Sequence, residues 1–147
     1  MRLLLTTALA SALPLLVQAT EQTGPQTGPQ SGALIDIPLE EWSGMAMGRT
    51  LSYSIEGELW ALEHYFPGSN RVTLQFYDGS CLEGVWEHTP PLYCFHWEAE
   101  GTSCFRHARL GEEILILETR DGVETGAVQV MSGVTDTPLA CGEPLTS

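Results

Sequence analysis

Lysine is absent from this chain. Lys and Arg together number 6, all of them arginines, against 19 Asp and Glu, for a formal net charge of −13. A surface so short of cations repels nucleic acid and anionic membranes, and would attract a basic partner or a cationic ligand. Plain solubility in a salty or acidic setting accounts for the same acidity without any partner. Also missing is any CxxC pair or repeated Cys/His spacing, so the 4 cysteines do not read as a zinc site. No apolar run after Val17 is long enough to cross a bilayer as a helix. No stretch carries a nucleotide-binding, cofactor or catalytic motif strong enough to name a reaction, and no cofactor or metal is expected.

What is present begins with a leader. Arg2 opens it, Leu3 to Val17 form an apolar stretch, and Val17-Gln18-Ala19 offers a small-residue exit, so Met1–Ala19 reads as a secretory signal peptide cut after Ala19. A membrane anchor fits less well: the stretch is short, contains Pro14 and runs directly into polar residues. No cysteine near the cut could take a lipid. Removing Arg2 with the leader makes the mature chain one unit more negative. Residues 20–33 carry Thr-Gly-Pro-Gln twice, at Thr23–Gln26 and Thr27–Gln30, and read as a flexible linker. The remainder, 34–147, has the length of a single domain. In an exported chain four cysteines favour two disulfides, and periplasm or medium is the expected location.

The domain opens with an expected short helix over Asp36–Met47. Asp36 would cap it, Pro38 suits its first turn, Glu40 and Glu41 favour its positive end, and Gly48 would stop it. Leu39, Trp42, Met45 and Ala46 share one face, suited to covering a sheet. Eight alternating segments follow almost without gaps: Thr50–Glu56, Glu58–Phe66, Arg71–Tyr77, Cys81–His88, Leu92–Glu98, Ser103–Leu110, Glu113–Arg120 and Val123–Met131. Turn residues separate them, at Glu56-Gly57, Gly68-Ser69-Asn70, Asp78-Gly79-Ser80, Thr89-Pro90-Pro91, Gly101, Gly111 and Asp121-Gly122.

Hairpin registers that keep apolar residues together set Tyr53 opposite Trp60, Leu51 opposite Leu62, and His64 opposite Leu74. They continue with Phe76 by Leu82, Leu74 by Gly84, Trp86 by Tyr93, and Gly84 by Phe95. One face then stays apolar through five consecutive strands. Eight such strands predict an all-β fold, a small antiparallel meander closing as an up-and-down barrel of lipocalin-like kind, with the helix across one end. A two-sheet sandwich is the alternative. In this scheme Cys94 lies directly opposite Cys104, while Cys81 is four residues from Val85, the expected partner of Cys94. The expected disulfides are therefore Cys94–Cys104 and Cys81–Cys141.

The same face leads on to Phe105, His107 and Arg109. His64, His107 and Arg109, with the hydroxyls of Tyr53 and Tyr93, would line one mouth of the barrel and bind a small polar or anionic ligand, Arg109 gripping it with two N–H groups. A bulge near Arg106 would instead turn His107 and Arg109 outward and leave His64 at the edge of the core. Glu83 and His96 would face each other on the outer surface, more as an exposed pair than as an acid–base couple. Ser103 lacks a nucleophile's setting, and Tyr93, Phe95 and Trp97 read as core rather than as a base-stacking platform.

The string Gly48-Arg49-Thr50-Leu51 with Tyr53, then Cys81, Gly84, Trp86, Cys94-Phe95, Trp97 and Cys104, resembles a family of small exported bacterial β-rich proteins of unknown function. The likeness spans Asp36 to Cys141 and implies an exported β domain, without an activity. In architecture the chain is also similar to periplasmic β-barrel lysozyme inhibitors, although it lacks their Ser/Gly-rich inhibitory loop. Three functions compete. A non-enzymatic binding or accessory module leads, with a ligand in the barrel or a partner on its rim. An inhibitor or interaction protein for a basic cell-wall hydrolase comes next, and an enzyme with a histidine-based acid–base site last.

Overall fold

The computed structural model describes residues 32–146; the expected leader and all but the end of the linker lie outside the described residues. The elements are β1 (Ile35–Asp36), α1 (Leu39–Ala46), β2 (Thr50–Ile55), β3 (Glu58–Tyr65), β4 (Arg71–Phe76), β5 (Cys81–Thr89), β6 (Leu92–Trp97), β7 (Gly101–Leu110), β8 (Glu113–Arg120) and β9 (Val123–Thr135). Strands β2 to β9 pair antiparallel, each with the next, and β9 returns to β2, so the sheet closes. The fold is an all-β, eight-stranded barrel with one extra strand, β1, on β7. Closure is achieved by the length of β9. Its first part pairs with β8, and Val130 to Thr135 pair with β2 up to Thr50. Ser132 to Thr135 of that half lie beyond the expected end at Met131. Among the described residues no helix is long and apolar enough to cross a membrane.

Helix α1 is shorter than expected, and Asp36 does not cap it. Ile35 and Asp36 pair with Arg109 and Ala108 on β7, and Ile37 N–H donates to the His107 carbonyl at 2.9 Å. The chain is thus extended until Pro38, which takes the N-cap position without a side-chain bond. The helix lies across one end of the barrel. Trp42 and Ala46 are fully buried, Met45 packs on the core, and Leu39 remains exposed. Trp42 fills that end: its ring meets Tyr65 edge-on at 6.1 Å, and lies 5.7 Å from Tyr93 and 4.1 Å from the His107 ring. Arg109 at the end of β7 donates through Nε at 2.9 Å and through Nη2 to the same Glu41 oxygen, fastening the helix to the rim.

Two of the expected registers slip by two residues and two by one, with different consequences. Leu74 pairs with Leu82, and Gly84 with Trp97, where Gly84 and Phe95 were expected. An even slip keeps every side chain on its face. At Gly84 a Cβ would stand 2.5 Å from the His96 carbonyl oxygen and 2.8 Å from the Trp97 ring, so glycine there lets the indole lie over the strand. Odd slips affect β3. The expected two-residue turn holds for Ile55↔Glu58 and Ser54↔Leu59, but Tyr53 then pairs with Ala61, leaving Trp60 as the extra residue of a bulge. On the other side Phe66 N–H donates to the Arg71 carbonyl and Tyr65 pairs with Val72, so the loop is Pro67–Asn70. Proline has no N–H for the ladder, which favours placing Pro67 in the loop. Together these changes turn Ala61, Glu63 and Tyr65 inward, and Leu62 and His64 outward.

Both disulfides form as expected, Cys94–Cys104 across directly paired residues and Cys81–Cys141 to the tail. The residue opposite Cys94 is Glu87 rather than Val85. The tail is held further by Gln75, whose amide donates to the carbonyls of Ala140 and Glu143 at 2.9 and 2.8 Å. Replacing Cys81 and Cys141 by serine should lower stability by about 4 kcal/mol through loss of loop closure. Urea unfolding under oxidising conditions measures it.

Candidate functional site

The barrel is not filled. A cavity of about 340 Å³ runs from its middle to the end opposite α1. Trp60, Phe76, Leu82, Trp97 and Glu100 border it toward the mouth. Tyr53, Glu63, Phe95, His107 and Ile116 stand deeper. The aromatic walls are braced. Trp97 Nε1 donates to Ser103 Oγ at 2.9 Å, Trp60 Nε1 donates to Gln129 Oε1 at 3.1 Å, and Phe95 stacks on Trp97 at 5.7 Å between centroids. The bulge on β3 aims Trp60 at the cavity, and Trp97 takes its pose from Gly84.

Glu63 is the polar feature of this interior. It is 4% exposed, and its Oε2 accepts two hydroxyls at 2.7 Å each, from Tyr53 and from Tyr65. Its other oxygen, Oε1, receives no hydrogen bond among the described residues. Burial pushes the carboxyl up to about 7, against the two tyrosine hydrogen bonds, which favour the ionised form. Burial, and then the neighbouring carboxylate, hold both tyrosines well above the usual range.

His107 is 1% exposed, lies parallel to Tyr93 at 4.1 Å, and lines the cavity. Its Nδ1 has no hydrogen-bond partner among the described residues. Burial, and then the nearby His88, lower it to about 3, so the ring is neutral at physiological pH.

The five residues expected at one mouth are only partly brought together. Tyr53 and His107 line the cavity. Tyr93 is buried behind it, with its hydroxyl donated to the Ile37 carbonyl at 2.8 Å. His64 is outside the barrel wall, with Nδ1 3.0 Å from Thr50 Oγ1 and its ring edge-on to Phe66. Arg109 does grip a carboxylate with two N–H groups, but that carboxylate is Glu41 on the plug helix. No bulge at Arg106 turns His107 outward. His96 pairs with Glu87 at 3.1 Å, not with Glu83, because of the two-residue slip between β5 and β6.

Glu63 was hidden in the sequence because the more apolar set, Trp60, Leu62 and His64, competes with Ala61, Glu63 and Tyr65 for the inner face. Pro67 was the available signal, since the three-residue loop would have placed it in the ladder. Among the described residues no three His, Cys, Asp or Glu side chains converge to hold a metal ion. Among the described residues no arginine lines the cavity, and its wall carries carboxyl, phenol, hydroxyl, amide and neutral imidazole groups amid aromatic rings. Comparison with family models, curated proteins and solved structures returns no match.

Proposed function

We propose that this chain is an exported, non-enzymatic binding module that takes a small ligand with an apolar body into the barrel. The cavity carries this reading. Protein interiors are close-packed, and small eight-stranded barrels either fill their centre with side chains or keep room for one small ligand. A 150 Å³ apolar cavity holds benzene, so about 340 Å³ would take about a dozen non-hydrogen atoms. The aromatic walls would supply the contact area, and Glu63 would orient the ligand's polar end. Export rests on the leader-like Met1–Ala19 and on the two disulfides, which persist in oxidising compartments. Arg109, expected to grip an anionic ligand, is committed to Glu41.

The neutral alcohol 1-naphthalenemethanol has the right size for a first probe. Isothermal titration calorimetry should show one site with a Kd of about 0.1 mM, typical for a ligand of that size. Leu82→Trp, which extends an indole into the mouth, should weaken binding by about tenfold or more while the melting temperature is kept. Absence of heat and of thermal shift with the parent protein would overturn the reading.

A further inference from the structure

We propose that the ligand is an organic ammonium, its cationic nitrogen held against Glu63 and its apolar body against the aromatic walls. This deepens the binding-module reading and rests on it. A carboxyl group buried in an apolar barrel calls for a partner, yet none that is charged reaches it among the described residues. The chain has no lysine, and no arginine among the described residues borders the cavity. Both tyrosine hydroxyls converge on Oε2 and leave Oε1 without a donor, which is the position an ammonium N–H would take. Rings of Trp60, Phe76, Phe95, Trp97 and Phe105 surround the space, and aromatic faces attract desolvated cations. Glu100 at the mouth and the overall negative charge would draw a cation inward. An anion would find no cationic side chain in the cavity lining among the described residues.

The titratable groups facing Glu63 are Tyr53 from β2 and Tyr65 on its own strand, both bonded to it, and His107 across the barrel on β7. Neighbouring β4 presents Leu74, and α1 presents Trp42 to Tyr65; neither titrates. Glu63 is therefore the group whose ionisation governs the site near neutrality, and burial places that ionisation at about 7. Amine binding should strengthen as pH rises through that value.

The test compares two isosteres, 1-naphthylmethylamine and 1-naphthalenemethanol, by calorimetry on the parent and on Glu63→Gln at pH 8. In the parent the amine should bind about tenfold tighter than the alcohol. Glu63→Gln, which still accepts both tyrosine hydroxyls, should erase that preference. On the parent alone, amine affinity should fall between pH 8 and pH 5 while alcohol affinity holds, which decides the matter should the variant fail to fold. Equal affinities, or a tighter alcohol, would overturn the ammonium assignment and leave the cavity reading standing. If neither probe binds, the cavity reading falls as well.

Discussion

Trp42→Ala should cost about 3–5 kcal/mol of stability, the range for removing a fully buried tryptophan. The indole is completely enclosed and is the piece of α1 that reaches the barrel axis, where it touches Tyr65, Tyr93 and His107. Its Nε1 has no hydrogen-bond partner among the described residues, so its contribution there is packing. Trp42→Phe should therefore lose less than half as much, since a phenyl ring keeps part of the stack and removes the unpaired N–H. Urea unfolding followed by circular dichroism gives both values. A second readout separates plugging from mere bulk. With the indole gone, water reaches His107, and its titration, seen by NMR of the ring protons, should move up from about 3 toward 6.5. An unchanged histidine titration would show that Trp42 does not seal that end.

The barrel was legible in the sequence because a period-two pattern is robust to the errors that hairpin reasoning makes. Both two-residue slips, at β4–β5 and β5–β6, left Val72, Leu74, Gly84, Trp86 and Phe95 on the expected face. The disulfides followed differently: Cys94 and Cys104 fall opposite each other in a hairpin whose register was right, which left Cys81 for Cys141. The candidate site was less legible. On β3 a bulge at Trp60 and the Pro67–Asn70 loop each displaced the strand by one residue, and one residue exchanges His64 for Glu63. Apolarity favoured the wrong set, since Leu62 is more apolar than Glu63 or Ala61. Arg109 failed differently. Its strand position was right, but β1 and α1 cover that end of the barrel, and no local pattern reveals that Glu41 will meet it.

Glu63 and His107 should give this protein a flat stability profile in mildly acidic solution, and Glu63→Gln should tilt it. Glu63 has a folded value of about 7 against an ordinary 4.5, so its contribution is full below pH 4.5 and is lost as pH rises through 7. The shift corresponds to about 3 kcal/mol. His107 runs the other way. Its folded value of about 3 lies below the ordinary 6.5, so its contribution is full above pH 6.5 and is lost as pH falls toward 3, on the order of 5 kcal/mol in all. Between pH 4.5 and 6.5 the folded chain keeps a proton on Glu63 that the unfolded chain has released, while the unfolded chain binds one at His107 that the folded chain refuses. The two slopes cancel there. Removing the Glu63 titration leaves the histidine slope exposed, so Glu63→Gln should gain stability steadily up to pH 6.5. It should exceed the parent at pH 8 by about 3 kcal/mol. Urea unfolding of both proteins from pH 4 to 8 measures the difference, in which the surface carboxylates common to both drop out. Parallel curves between pH 5 and 8 would mean that the Glu63 carboxyl is hydrated in the cavity and titrates as an ordinary acid. The site would then have no unsatisfied charge to offer a ligand.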